Sequence, residues 1–162
     1  MEEIKMFKVP IQTEQKEYAI KLEQEISDLR KQQNYQDRDT WFKNNSNTNG
    51  FLGEVLFADY FHLPRPILLN EKDNGYDFET NGLKIDVKTN NYTGQNLDLI
   101  INPKDLNKES NYFYLIQIIN DEAFFWGGIT KQEFIEINEP QDYGYGIKHK
   151  VNCEKLKDLN GL

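Results

Sequence analysis

A chain of 162 residues with 38% hydrophobic and 13% aromatic content can bury one core, which excludes a disordered polymer and predicts a single domain. One cysteine, Cys153, excludes an intrachain disulfide, and with only His62 and His149 beside it there is no zinc pattern. No apolar run is long enough to cross a membrane, the first residues are charged rather than signal-like, and the net charge of −8 opposes indiscriminate binding of polyanions. The expected location is therefore the cytoplasm, without membrane contact.

Residues 5–12 suit a short edge strand, with Pro10 limiting its pairing. Thr13 reads as an N-cap, and Tyr18, Leu22, Ile26 and Leu29 form a helical stripe that ends near Gln33. Residues 34–49 are polar and rich in Asn, and read as a loop. There, Trp41 and Phe42 anchor the loop to the core, or Arg38 and Lys43 with these aromatics touch phosphate. Residues 1–45 thus make an N-terminal strand and helix extension, and 46–162 the main core. The stretch from Gly50 to His62 is apolar around most of a helix and should be largely buried. Its Glu54 has two readings: it favours the helix dipole, or it points at the acidic face of a hairpin further along the chain. Asp59 reads as solvated, and His62 as the helix end before Pro64.

Ile67-Leu68-Leu69 suits a short buried strand leading, through residues 70–75, into the most informative stretch, DNGYDFETNGLKIDVKT at 73–89. Asn81-Gly82 is a two-residue hairpin signal, because a type I′ turn needs positive φ at both positions. Counting outward, Thr80 faces Leu83, Glu79 faces Lys84, Phe78 faces Ile85 and Asp77 faces Asp86. Alternation then puts Asp77, Glu79, Lys84, Asp86 and Lys88 on one face, and Tyr76, Phe78, Leu83, Ile85 and Val87 on the other. Like charges set opposite each other destabilise a sheet. A divalent cation, a shared proton or a cationic neighbour would compensate. Two carboxylates and a lysine on one patch suit phosphodiester hydrolysis, with Mg²⁺ held by the acids. Lys88 would then hold or activate water, or neutralise developing charge. The plainer alternative is a surface hairpin with Glu79–Lys84 as a cross-strand ion pair.

Asp77 followed by Asp86-Val87-Lys88 in an apolar strand resembles the PD-(D/E)XK nuclease superfamily. Gly50-Phe51-Leu52-Gly53-Glu54, opening the preceding helix, resembles that superfamily's first-helix glutamate. Tyr76 stands before Asp77 where the motif names proline, a position that varies within the superfamily. The resemblance implies an α/β fold: a mixed central sheet with an αβββ(αβ)-type, restriction-endonuclease-like core flanked by helices. It implies Mg²⁺, with Mn²⁺ as substitute, bound by Asp77, Asp86, the Val87 carbonyl and Glu54, and Lys88 positioning the attacking water. DNA rather than RNA is the implied substrate.

Beyond Lys88, the polar stretch Thr89–Gly94 is a connector or a substrate-touching loop, and Leu97–Ile101 a strand stopped by Pro103. Lys104–Asn111 reads as a polar loop or a helical turn. Tyr112–Asn120 fits a strand buried on both faces, paired with Glu122–Trp126 and broken at Gly127-Gly128. Thr130 and Glu133 form a capping-box pattern opening a helix to about Glu136. Residues 138–146 read as a loop, Tyr145–Asn152 as a last strand and Cys153–Leu159 as a closing helix. Lys84, Asn90, Arg38, Lys148 and Lys150 are the candidate substrate contacts. The function expected is a Mg²⁺-dependent endonuclease, from a phage or mobile element. The competing expectations are a nuclease-like module binding a protein partner or mimicking nucleic acid, and a plain α/β domain. A homodimer or a protein partner is compatible with each.

Overall fold

The computed structural model describes residues 6–32, 48–67, 75–94, 96–144 and 146–159. The hairpin turn forms as its two central residues require, with Asn81 at φ 50° and Gly82 at φ 81°. It joins β2 (Phe78–Thr80) to β3 (Leu83–Asn90), in the register Phe78↔Ile85, Glu79↔Lys84, Thr80↔Leu83. The ladder stops there. Asp77 lies in a bend outside it, its N–H donating to the Ile85 carbonyl at 2.8 Å.

β3 pairs in parallel with β5 (Tyr112–Ile119), which pairs antiparallel with β6 (Glu122–Thr130), which pairs antiparallel with β1 (Phe7–Pro10). The result is a five-stranded mixed sheet ordered β1-β6-β5-β3-β2. β1 is an edge strand, as Pro10 demands. β5 is buried on both faces, as its continuous apolar run requires. β6 is not broken at its glycines. Gly127, at φ 118°, forms a bulge where the register shifts, and the strand continues to Thr130.

One face of this sheet is covered by α1 (Thr13–Gln32) and α2 (Thr48–Tyr60). Ile85, Val87, Tyr114, Ile116 and Phe125 meet Ala19, Leu52, Leu56 and Phe57 there. The Phe57 ring lies 5.2 Å from Phe78 and 5.0 Å from Tyr114, so α2 is locked to both hairpin and central strand. α2 ends with His62 at φ 59° and Leu63 N–H on the Ala58 carbonyl, a left-handed cap. Asp59 is only partly solvated. Arg65 donates to it at 2.8 and 2.7 Å and to Glu14 at 2.6 and 2.8 Å, tying α1 to the end of α2. The Arg65 bonds hold the Asp59 carboxyl below its ordinary pKa.

The other face carries a second, three-stranded antiparallel sheet, β4-β8-β7. Its strands are β4 (Asp98–Ile101), β7 (Glu139–Asp142) and β8 (Ile147–Asn152). Leu99, Ile101 and Val151 pack there with Phe113, Leu115 and Ile129. Two expectations are corrected in this region. Residues 139–142 form an exposed edge strand, which is where Pro140 can sit without a ladder donor. The strand expected at 97–101 forms at 98–101, where it joins β8. Residues 153–155 are a 3-10 turn, and Lys157 then bridges to Gly128 in place of a closing helix. α3 (Lys131–Ile137) opens as its capping pattern predicts, with the Thr130 hydroxyl accepting from Glu133 N–H at 3.1 Å. The expected strand at Ile67–Leu69 lies largely outside the described residues, and Ile67 itself is 64% exposed and not in a strand.

Candidate active site

β2 is short, so beyond Ile85 the outer edge of β3 has no partner strand among the described residues. The acids gather on that edge. One Asp77 carboxylate oxygen accepts from Val87 N–H at 2.8 Å, and the Asp86 carboxyl is near enough for its charge to act on Asp77. A strand residue sends its N–H and C=O to the same side. The Val87 carbonyl therefore faces the Asp77 edge, where the resemblance puts a ligand. Burial pushes the Asp77 carboxyl well above its ordinary pKa, the Glu54 and Asp86 charges push it further, and the Val87 bond opposes them only in part. Asp77 is thus driven toward its protonated form.

Asp86 and Lys88 stand beside Phe113 and Leu115 in the parallel register, so they face the second sheet. Asp86 is 8% exposed. The Lys88 ammonium lies 3.2 Å from the Asp86 carboxylate and 3.1 Å from that of Asp105. Burial pulls the Lys88 pKa down, but Asp86 and Asp105 outweigh it and the net shift is upward. Asp105, buried in the 3-10 turn Pro103–Asn107, also holds Lys108 at 3.1 Å. Burial raises its pKa, the two lysines lower it more, and it stays ionised. Lys131 joins the periphery: its ammonium donates to the Lys108 carbonyl at 2.7 Å and senses the Asp86 and Asp105 charges. Sequence reading missed Asp105, Lys108 and Lys131. The sequence carries no signal for them, because the burial of Asp105 and its choice of lysines are fixed only by tertiary packing.

Glu54 comes from the helix face. Gly53 beside it abuts Thr89, with a Cβ at Gly53 falling 2.0 Å from Thr89 Oγ1, so only glycine lets α2 come this close to β3. Glu54 is near enough for its charge to act on Asp77. Among the described residues no three His, Cys, Asp or Glu side chains form a ready metal-holding group. The acids instead wrap round the strand edge: Glu54 on the helix side, Asp77 at the rim, Asp86 on the far face.

The remaining expected contacts are scattered. Tyr76 is not on the apolar face; its hydroxyl bonds Glu79 at 3.2 Å and its ring lies 5.4 Å from the Lys84 ammonium. Glu79 and Lys84 are opposite in register, yet Lys84 reaches Glu109 at 3.6 Å. The Asn90 side chain accepts from Tyr92 N–H at 2.6 Å. Lys148 and Lys150 lie on β8 of the second sheet, with Lys150 3.9 Å from Asp98. Arg38, with Trp41 and Phe42, lies outside the described residues. No described helix is long and apolar enough to cross a membrane. Compared with known proteins, the chain matches no family model, no curated protein and no solved structure.

Proposed function

We propose that this chain is a Mg²⁺-dependent endonuclease of the PD-(D/E)XK type, hydrolysing phosphodiester bonds in DNA. The observation that carries the reading is the meeting of three groups at one strand edge: the half-buried Asp77 on Val87 N–H at 2.8 Å, the buried Asp86, and Lys88 3.2 Å from Asp86. The donor set fits the ion in kind. Mg²⁺ takes one or two carboxylates and fills its other positions with water and substrate phosphate, so a closed protein cage is not needed. Asp77, Asp86 and the Val87 carbonyl would hold it, with Glu54 completing the acidic set. The helix-then-hairpin order around these residues supports the restriction-endonuclease-like reading of the core.

When bound, Mg²⁺ supplies positive charge at the reacting phosphate and acidifies water. The protein's own part falls to Lys88. Its raised pKa makes it a fixed cation and not a general base, so it orients water and offsets charge on the phosphorus oxygens. Asp105 keeps that ammonium on the second-sheet side of β3. Water attacks phosphorus in line as the bond to the leaving sugar oxygen breaks, and the proton that the water sheds passes through solvent to that oxygen.

A second reading, a catalytically weak module that binds a protein or mimics nucleic acid, is favoured by one observation. Lys88 is already engaged by two carboxylates on a chain of net charge −8. Cleavage of duplex, single-stranded and branched DNA and of RNA, in Mg²⁺ and in EDTA, separates the two. The enzyme reading expects metal-dependent cleavage reduced at least about a hundredfold in Asp86→Ala and Lys88→Ala, the scale of a lost transition-state contact. Intact substrates in Mg²⁺ and in Mn²⁺ would overturn it.

A further inference from the structure

The connector that leaves β3 presents Tyr92 in an unusual way. Residues 91–94 are all exposed, and Tyr92 is 51% exposed. Its main chain is nevertheless clamped at both polar groups. The N–H donates to Asn90 Oδ1 at 2.6 Å, and the carbonyl accepts from Gln117 Nε2 at 2.6 Å. Gln117 is buried at 7% exposure, sits beside Asn90 in the sheet, and is fixed in turn by Trp126 Nε1 at 2.9 Å. The ring folds back over Gly94, where a Cβ would lie 2.3 Å from the Tyr92 hydroxyl oxygen. The phenol end of the ring therefore lies against a residue with no side chain, and Tyr92 as a whole stays half exposed.

An exposed aromatic ring usually loses mobility when it binds, and that loss weakens binding. Here a buried amide and an indole already hold the backbone. A chain of net charge −8 also draws little affinity for a polyanion from its overall field, whereas stacking on a ring does not depend on charge. At roughly 3.3–3.6 Å per residue, Tyr92 is at most about 14 Å along the chain from Lys88, within the footprint of a few nucleotides.

We propose that Tyr92 is a stacking platform for an unpaired nucleobase next to the site. It makes single-stranded, flap or junction-borne nucleotides the substrate class. A base inside a duplex has both faces stacked already and offers none to the ring. This rests on the nuclease reading of the Asp86–Lys88 edge, but its test does not require cleavage.

The test is fluorescence anisotropy of a labelled single-stranded oligonucleotide and of its duplex, in EDTA at low ionic strength. Wild type binds the single strand more tightly. Tyr92→Ala weakens that binding about five-fold or more, the scale of one lost base stack, while Tyr92→Phe and Tyr92→Trp retain it. Thermal melting confirms that the variants are folded. Single-strand binding unchanged in Tyr92→Ala, a preference for duplex, or no single-strand binding at all overturns the platform. Tyr92-dependent binding without cleavage in Mg²⁺ would leave the platform standing and remove the nuclease reading. Cleavage indifferent to Tyr92, with unchanged binding, would do the reverse.

Discussion

Asp77 shows how one turn converts sequence into electrostatics. The Asn-Gly reversal brings its carboxyl near Asp86, and of the three compensators that such a pair invites, the chain itself supplies the ammonium of Lys88 and, through the raised Asp77 pKa, favours a proton there. The direction of the Asp77 shift sets the sign of the pH effect. A carboxyl whose folded pKa exceeds its ordinary value of 3.8 gives its full contribution to stability below that value, and loses it as pH rises through the folded pKa. Asp77→Asn keeps an acceptor for Val87 N–H and has no charge to bury. In EDTA at pH 8 it should be more stable than wild type by about 1–3 kcal/mol, the scale of a buried polar mismatch, with the gap closing toward pH 4. Denaturant melts across that range check it. A variant less stable than wild type at pH 8 would mean that Asp77 is satisfied as an anion. Asp105, in contrast, was invisible in the sequence, because nothing local to the Pro103–Asn107 turn says which lysine it will meet.

At the scale of elements, what was legible was what depends on near neighbours. The hairpin register, the buried β5, the Pro10 edge and the Thr130 cap all come from turn chemistry, periodicity or capping, and all are present. The second sheet was not legible. Joining β4 to β8 pairs segments far apart in sequence, and the Glu139–Asp142 strand has the composition of a loop. Nor could alternation foresee that the ladder ends at Phe78, leaving Asp77 and Tyr76 free to turn away from it. The contact of α2 with β3 makes the sharpest test here. Gly53→Ala places a methyl 2.0 Å from Thr89 Oγ1 and 3.2 Å from Thr89 Cβ, both on a stiff β-branched side chain. It should cost about 1–3 kcal/mol and shift Glu54 away from Asp77, lowering any metal-dependent activity. Thr89→Ala removes the closer atom and should restore part of both in the double variant. A double-mutant cycle with no coupling between the two positions would show that α2 is placed by other contacts, such as Phe57 against Phe78.

At the scale of the molecule, the helices and the second sheet cover opposite faces of the mixed sheet and leave the outer edge of β3 as the place where side chains from both layers converge. Glu54 comes from one layer, Asp105 from the other, and Asp77, Asp86 and Lys88 from the edge itself. That convergence is the physical basis for reading the edge as a hard-cation site despite the net charge of −8. It is tested most directly by titrating Mg²⁺ into the protein while following its melting temperature. An ion that binds only the folded state at a hundred times its dissociation constant should stabilise wild type by about 2.7 kcal/mol, and Asp77→Asn and Asp86→Asn should lose most of that gain. A wild-type melting temperature indifferent to Mg²⁺, or a gain retained in both variants, would contradict the account.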